Sequence, residues 1–274
     1  MRESTCYNCH IKGNVAASNG NGANAYKSIL VGCTVEGTGV AGGSAYCTIF
    51  TGIGGTVATS GNPHGQRSLE VSRVWTGGLN ATNCLFVGNS LPVANSVMFS
   101  ADNASANSLV NCTIVSNVIQ HMFHNAKTEA GRLLVLNSLF FGNSRWITGS
   151  TSDMDIFGVD CLAAGLSIER TAYGTTNFAT DKATYSAVYK FGDADDVCVA
   201  TVGETPRFCL DADVKNPYSL QRRSKVRGLG LYQTWMASAS DIRGAGFPRA
   251  DGTSVDLGCY QCWLPAAGFV LSFR

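Results

Sequence analysis

Charged residues are scarce in this sequence. They make up 14% of its 274 residues, and the formal net charge is +1. A nucleic-acid-binding domain carries a basic excess, so we predict no nucleic-acid partner. Long apolar runs are also missing, since none approaches the ~18 residues that a membrane-spanning helix needs. We therefore predict no membrane-spanning segment.

An export signal is not visible at the N-terminus. The first five residues, MREST, lack the apolar stretch of a signal peptide. The first recognisable repeat starts at Asn8. We therefore expect the chain to begin inside its repeat, with any export signal upstream.

Proline is rare, with 6 residues, whereas glycine is frequent, with 31. No stretch shows the ~3.6-residue period of an amphipathic helix, which excludes helix-based repeats. Because 45% of the residues are apolar, the low charge does not indicate disorder. This composition is typical of many short strands joined by tight turns.

One octet recurs along the chain, for example as NCLFVGNS and NSLFFGNS. Its copies start at Asn8, Asn83, Asn111 and Asn137. The last three copies are separated by 28 and 26 residues. A second apolar set, aligned on Phe99, Phe123 and Ile147, repeats every 24 residues. Two sets of strands that share a period in the mid-twenties predict a solenoid.

Strands this short cannot bury a face alone, but in register they stack in parallel at about 4.8 Å per coil. The alternation within the octet puts Cys84 and Phe86 on one face, and Leu85 and Val87 on the other. We expect Cys/Cys/Ser and Phe/Ile/Phe columns to fill the interior. The sequence therefore predicts an all-β fold, a right-handed single-stranded parallel β-helix.

The Asn at each strand start suits the left-handed backbone of a bend, and we expect the stacked copies to form a ladder. The octet stops near residue 150. We predict regular coils over residues 1–150. Over residues 151–274 we predict less regular final coils and an irregular C-terminal cap on the last open coil, within one continuous solenoid.

The chain has 11 cysteines. In a secreted protein an odd, high number is compatible with disulfides and one free thiol. The pairs Cys6-x-x-Cys9 and Cys259-x-x-Cys262 would also suit a metal, but only where a turn intervenes, since i and i+3 face opposite sides of a strand. We favour small buried residues at one repeat position for Cys33, Cys47, Cys84 and Cys112.

Catalytic carboxylates are not visible in the regular coils. Glycoside hydrolases need a carboxylate pair, and lyases need acids that hold Ca²⁺ beside an Arg or Lys base. Residues 68–150 contain only Glu70, Asp102 and Glu129, which do not recur at one column. We therefore predict no catalytic residue.

Two sets of residues are weaker ligand candidates. Asp193, Asp195 and Asp196 carry oxygen atoms suited to Ca²⁺, although the usual twelve-residue loop pattern is missing; a solvated turn is the alternative. Trp75 and Trp146 would stack on sugar rings if they point outward. Otherwise they pack within or between coils.

A motif near the C-terminus resembles a known family. Asp-Ile-x-Gly…Pro-Arg runs from Asp241 to Arg249, and Gly-Thr-x-Val-Asp-Leu-Gly-x-Tyr-Gln from Gly252 to Gln261. Together with Pro-x-Phe and Tyr-x-Leu elements at residues 206–208 and 218–220, it resembles the end of bacterial choice-of-anchor Q proteins. The family usually has Glu where Gln261 stands. The resemblance implies a secreted or cell-surface β-helix of the pectin-lyase-like class.

These observations favour a non-catalytic module that binds a polysaccharide or cell-surface glycan along its elongated side, located outside the cell or on its surface. The alternative is a polysaccharide lyase or glycoside hydrolase, and the third possibility is a structural stalk. An outward aromatic row without carboxylates would favour binding, whereas an acid pair beside Lys or Arg would favour the enzyme.

Overall fold

The computed structural model describes residues 4–12, 25–36, 40–52, 73–92, 96–101, 106–124, 126–156, 158–159, 161, 165–173, 190–191, 206–209, 216 and 218–262. Within these ranges, the regular structure consists of 22 strands and one 3-10 helix, Thr234–Ala237. The strands form three sheets, A, B and C.

Sheet A contains, in spatial order, β1 (Thr5–Tyr7), β3 (Ala25–Val31), β5 (Val40–Tyr46), β7 (Arg73–Thr82), β11 (Asn107–Val110), β15 (Leu133–Leu136), β20 (Leu166–Glu169) and β22 (Lys190–Phe191). A branch that begins at β7 adds β10 (Val97–Ser100), β14 (His121–His124) and β19 (Gly158–Val159). Sheet B contains β2 (His10–Lys12), β4 (Thr34–Glu36), β6 (Ile49–Thr51), β8 (Leu85–Val87), β12 (Thr113–Val115), β16 (Leu139–Phe141) and β21 (Ala172–Tyr173). Sheet C contains β9 (Ser90–Leu91), β13 (Val118–Ile119), β17 (Ser144–Ile147) and β18 (Ser150–Asp153).

Successive coils, from β1 and β2 to β20 and β21, each add one strand to sheet A and one to sheet B, and neighbouring strands along these two series pair in parallel. Leu85 pairs with Thr113, and Thr113 with Leu139, which reproduces the 28- and 26-residue spacing of the octet. The fold is a right-handed parallel β-helix, as predicted.

The predicted interior columns are confirmed. Cys84, Cys112 and Ser138 are completely buried, and so are their neighbours Phe86, Ile114 and Phe140. The aromatic column continues to Phe50, whose ring stacks on that of Phe86 with 4.6 Å between centroids. Stacking of this kind adds to the free energy gained by removing the rings from water.

The residue before each Cys/Ser/Thr position has a positive φ in every described coil. These residues are Asn8, Gly32, Cys47, Asn83, Asn111, Asn137 and Arg170. Asn tolerates this left-handed conformation better than most residues, so the predicted bend is confirmed. Cys47 itself occupies the bend, with φ of 48°, and Thr48 fills the interior position. The prediction that Cys47 shares the position of Cys33 was wrong by one residue.

The interior position after the bend accepts Cys, Ser or Thr because all three can donate to the backbone. Cys84 Sγ donates to Thr82 O at 3.3 Å, and Thr48 Oγ1 donates to Tyr46 O at 3.0 Å. Ser138 Oγ donates to Leu136 O at 3.0 Å. Each described cysteine is a free thiol, and this column uses its thiols as small buried donors.

The asparagine ladder exists, but at the second Asn of the octet rather than the first. Asn89 Nδ2 donates to Asn117 Oδ1, and Asn117 Nδ2 donates to Asn143 Oδ1, both at 2.8 Å. Asp155 ends the ladder by accepting from Asn143 N at 2.9 Å and from Asn143 Nδ2 at 3.1 Å. The ladder lies at the second bend, where its amides also satisfy backbone carbonyls such as Phe86 O.

The second apolar set is only partly confirmed. Phe99 pairs with Phe123 as predicted, but Phe123 then pairs with Gly158. Ile147 instead belongs to β17, which forms an antiparallel hairpin with β18. All four residues of β18 are exposed, and Ile147 is an exposed hydrophobic residue. Its alignment with Phe99 and Phe123 was therefore wrong.

The end of the chain is irregular, as predicted, but its described part lies beside the coils. Residues 206–209 and 218–262, here named the covering segment, pack on the outer face of sheet B. They bury an apolar cluster together with Leu85, Val115, Leu139 and Ala172. Cys259 N donates to Thr113 Oγ1 at 2.9 Å, and Gly258 N to Asn137 O at 2.8 Å. A Cβ at Gly258 would overlap Thr113 Oγ1, so this close approach requires glycine.

Candidate ligand-binding surface

Two columns of outward side chains can be followed along sheet A from β1 to β20. Between them runs an interior column that includes Cys6, Leu30, Ala45 and Leu109. The first outward column is Thr5, Ile29, Ser44, Asn80, Ser108, Leu134 and Ser167. The second is Tyr7, Val31, Tyr46, Thr82, Val110, Leu136 and Glu169. We name these two columns the open face, although at its far end Leu136 is only 3% and Ser167 1% exposed.

Three large side chains are exposed at one end of the open face. Tyr7 is 66% exposed, Tyr46 43% and Ile29 42%. Tyr7 and Tyr46 share a column with Val31 between them, which places their backbones about 10 Å apart. A tyrosine ring offers an apolar surface and a hydroxyl that can donate or accept a hydrogen bond. The pair is an outward aromatic row of the kind that suits a sugar chain.

The open face carries no charge along most of its length. From Thr5 and Tyr7 to Leu134 and Leu136, its two columns contain only aromatic, aliphatic, hydroxyl and amide side chains. The first charged residue is Glu169, which pairs with Arg132 at 3.0 Å. A surface of this composition offers hydrogen bonds and apolar contact, but no electrostatic attraction for an acidic chain.

The buried carboxylates serve the fold. Asp155 ends the asparagine ladder. Asp241 binds the Arg243 guanidinium and accepts from Gln261 N at 2.9 Å. Asp256 accepts from Gly228 N at 2.8 Å. Each of these carboxylates therefore stabilises local backbone or a neighbouring cation.

One exposed ionic cluster lies on the outer face of sheet B, in the first two coils. Glu36 accepts from Lys12 Nζ and His10 Nε2, both at 2.9 Å. The hydrogen bond from Lys12, followed by that from His10, lowers the pKa of Glu36. Exposed ion pairs of this kind stabilise a protein weakly, and the cluster has one carboxylate rather than a pair.

The predicted ligand residues are not brought together. Trp146 lies half-buried on β17 of sheet C, opposite Thr151 of β18. Trp75 belongs to β7 of sheet A, in register with Phe99, and its side chain lies outside the described residues. The two tryptophans thus occupy different sheets. Asp193, Asp195 and Asp196 also lie outside the described residues.

Among the described residues, no group of three or more His, Cys, Asp or Glu side chains is arranged to hold a metal ion. Nor does the described part of the chain contain a helix with the length and apolar character needed to cross a membrane.

The C-terminal motif builds the interior of the covering segment. Arg249 is completely buried; its Nη2 donates to Asp256 O at 2.6 Å and to Gly258 O at 2.9 Å, and its Nη1 to Gln261 Oε1 at 3.2 Å. Burial lowers the pKa of Arg249 to about 10, so the guanidinium remains charged at neutral pH. The motif residues therefore have a structural role.

Sequence reasoning missed Tyr7 and Tyr46. The signal was the alternation around the interior column: because Cys6 and Ala45 point inward, the next residue along each strand points outward. The first coils are only loosely periodic in sequence, which concealed this alternation.

The chain has no matching protein-family model, and neither the curated proteins nor the solved structures searched contain a match. The resemblance to choice-of-anchor Q proteins therefore remains a prediction.

Proposed function

We propose that the protein is a non-catalytic, secreted or cell-surface β-helix that binds a neutral glycan along the open face of sheet A. The observation that carries this proposal is the outward pair Tyr7 and Tyr46, in two columns that contain no charged residue as far as Leu136. Aromatic rings pack on the apolar faces of sugar rings, while Ser, Thr and Asn side chains along the columns can bond sugar hydroxyls.

The lack of charge on this face favours a neutral polysaccharide over an acidic one. An acidic chain would be bound more strongly where cations line the surface. Among the described side chains beside the two columns, the first cation is Arg132, and it is paired with Glu169. Binding to the open face should therefore depend weakly on salt.

The test is a panel of neutral and acidic polysaccharides, with and without Ca²⁺, that measures both retention and chain cleavage. We expect retention by a neutral polysaccharide without unsaturated or reducing-end product. Tyr7→Ala and Tyr46→Ala should each weaken binding about tenfold, since each removes more than 1 kcal/mol of contact.

Trp146→Ala is the matched control, because it removes an aromatic ring from sheet C and leaves the open face intact. Cleavage of any polysaccharide would identify a lyase or hydrolase instead. Retention that depends on Trp146 and not on either tyrosine would move the site to sheet C. No retention by any member of the panel would favour the structural stalk.

A further inference from the structure

The covering segment carries a tight turn with two arginines at its tip. The turn runs from Gln221 to Ser224 and is closed by a hydrogen bond from Ser224 N to Gln221 O at 2.9 Å. Arg222 and Arg223 occupy its two central positions, and both are exposed. Ser224, in contrast, is buried, and its Oγ donates to Pro206 O. The base of the turn is therefore attached to the covering segment while its tip faces solvent.

A third arginine lies on the neighbouring stretch of chain. Phe208 and Leu220 form an antiparallel bridge, and Gln221 N donates to Arg207 O at 2.8 Å. Phe208 and Leu220 are buried in the apolar cluster on sheet B, whereas Arg207 is exposed. The side chain of Arg207 therefore meets solvent next to the turn. We give the name arginine patch to Arg207, Arg222 and Arg223.

No ion pair with a described residue neutralises the arginine patch. The described residues from 206 to 227 contain no Asp or Glu, and Lys225 in the same stretch is also exposed. Arg227 supports the turn by donating from Nη1 to Arg222 O at 2.7 Å, and its own counter-charge is Asp256, with 3.6 Å between Arg227 Nε and Asp256 Oδ2. The three patch guanidinium groups make no hydrogen bond or ion pair with a described residue. Like charges held close together in this way create a positive potential.

We propose that the arginine patch binds a short acidic peptide segment of a partner protein. Guanidinium groups pair bidentately with carboxylates, and clusters of arginines recognise acidic motifs in proteins. This site is separate from the open face of sheet A. Its ligand is acidic, whereas the glycan proposed for the open face is neutral.

The small extent of the patch favours a short segment over a long polyanion. A long polyanion needs a continuous groove or stripe of cations. The described residues from 228 to 262 continue the covering segment with three Asp and two Arg, and Asp251 is the only one of these five that is fully exposed. The exposed cations of this part of the chain therefore end at the turn.

An anionic membrane surface is also a poorer match for the patch. Stable attachment to a membrane surface needs an apolar anchor in addition to a cluster of cations. None of the large hydrophobic residues that are exposed in the described part of the chain lies between residues 206 and 227. Acidic side chains of a protein need no such anchor.

The experiment measures binding of the full chain to a labelled decaglutamate peptide by fluorescence anisotropy, with decaglutamine as the uncharged probe. We expect the chain to bind decaglutamate and not decaglutamine. Arg222→Gln/Arg223→Gln should weaken binding about tenfold and Arg207→Gln about threefold, since each removes charge pairs with the peptide. Raising the ionic strength from about 0.05 M to about 0.5 M should also weaken wild-type binding, because salt screens exposed charges.

Lys12→Gln is the matched control for Arg207→Gln, because it removes one exposed cation from the first coils of sheet B. It should leave decaglutamate binding unchanged. Arg222→Lys/Arg223→Lys keeps the charge but loses the planar fork, so it should weaken binding less than the Gln variant. Retention by a neutral polysaccharide should be unchanged in Arg222→Gln/Arg223→Gln, which separates this site from the open face. Circular dichroism verifies that each variant folds.

Four outcomes would overturn the proposal. The first two are absence of decaglutamate binding and binding that persists in Arg222→Gln/Arg223→Gln. The third is an equal loss in Lys12→Gln and Arg207→Gln. Duplex DNA, polygalacturonate and phosphatidylglycerol vesicles are measured in parallel, and patch-dependent binding of any of them tighter than that of decaglutamate would assign the patch to another class of partner.

Discussion

The outer faces of sheets A and B differ in what covers them. On sheet B, the outward residues Leu85, Val115 and Leu139 are buried beneath the covering segment. On sheet A, Tyr7 and Tyr46 stand exposed. The inward side chains of both sheets pack in the same interior. The outward side chains therefore determine whether a sheet is covered. The apolar outward face of sheet B is covered, whereas the outward columns of sheet A mix Tyr, Thr, Ser and Asn with Ile, Val and Leu, and their first coils carry exposed side chains.

The difference also appears within sheet B. Its first two coils carry His10, Lys12 and Glu36 on the outer face, and these side chains are bonded to one another. From Ile49 onward the outward residues are mostly apolar and belong to the covered cluster. A strand that is buried on both faces consists of consecutive apolar residues, as in Leu139-Phe140-Phe141.

The stability of the covering segment should depend most strongly on Arg249. Arg249→Met removes a buried cation and leaves Gln261 Oε1 and the carbonyls of Asp256 and Gly258 without this donor. We expect a loss of about 3–5 kcal/mol in the free energy of unfolding, measured by urea denaturation. Arg249→Lys keeps the charge but not the planar fork, so its loss should be intermediate. Equal stability of Arg249→Met and wild type would contradict this assignment.

A pair of leucines in one coil compares the two faces directly. Leu139 is 1% exposed on sheet B, whereas Leu134 is half-buried on sheet A. Leu139→Ala should cost about 2–5 kcal/mol through lost burial and a cavity. Leu134→Ala should cost less than half as much, because its side chain already meets water. Equal losses in thermal or urea unfolding would mean that the two faces are equally covered.

Two asparagines at the same bend should respond differently to glycine. Asn137 Nδ2 donates to Leu231 O at 2.9 Å, and its Oδ1 accepts from Leu231 N at 2.7 Å. The Asn111 amide is buried without a hydrogen-bond partner among the described residues. Glycine adopts positive φ at both sites without strain, so only the side-chain contacts differ.

We expect Asn137→Gly to destabilise the fold by about 1–3 kcal/mol. Asn111→Gly should leave stability within about 0.5 kcal/mol of wild type or raise it slightly, since an unpartnered buried amide is removed. Urea unfolding of the two variants in parallel measures the contrast. A larger loss for Asn111→Gly would show that its amide has a partner that matters.

The stability that Tyr260 gives to the covering segment should fall at alkaline pH. Burial, with smaller effects from Cys259 and Asp241, raises the pKa of Tyr260 well above its ordinary value. Above pH ~10 the unfolded chain releases the phenol proton while the folded chain retains it, so stability falls as pH rises, by up to about 1.4 kcal/mol per pH unit. Tyr260→Phe should make this decline shallower in unfolding measured from pH 9 to 11. An unchanged slope would contradict burial of the phenol.

The parts of this structure that depend on the repeat could be predicted from sequence. Side chains alternate between interior and exterior along the octet, and an Asn bend precedes its strand; these two features were sufficient to predict the β-helix and the interior positions of Cys84 and Phe86. Cys47 was misplaced because coils of unequal length shift the register by one residue. The ladder was assigned to the wrong Asn because both copies in the octet repeat with the same period.

The position of the covering segment was not predicted, since the sequence analysis placed an irregular cap on the last open coil. The two apolar faces of Leu139-Phe140-Phe141 are compatible with a covered sheet B, but they do not show which segment covers it. That pairing depends on contacts such as Cys259 N to Thr113 Oγ1, which join residues far apart in the chain. The alternation of side chains along each strand predicts that Tyr7 and Tyr46 point outward. Their exposure also depends on which sheet the covering segment leaves uncovered.

Nitration of tyrosines in the folded chain with tetranitromethane, read by peptide mapping, tests the contrast between the two faces most directly. It compares one residue type in three places: Tyr7 and Tyr46 on the open face, and Tyr260, only 4% exposed, in the covering segment where it packs against sheet B. We predict rapid nitration of Tyr7 and Tyr46, and nitration of Tyr260 only after unfolding. Nitration of Tyr260 in the folded chain as fast as that of Tyr7 would show that the outer face of sheet B is open, and would contradict this account.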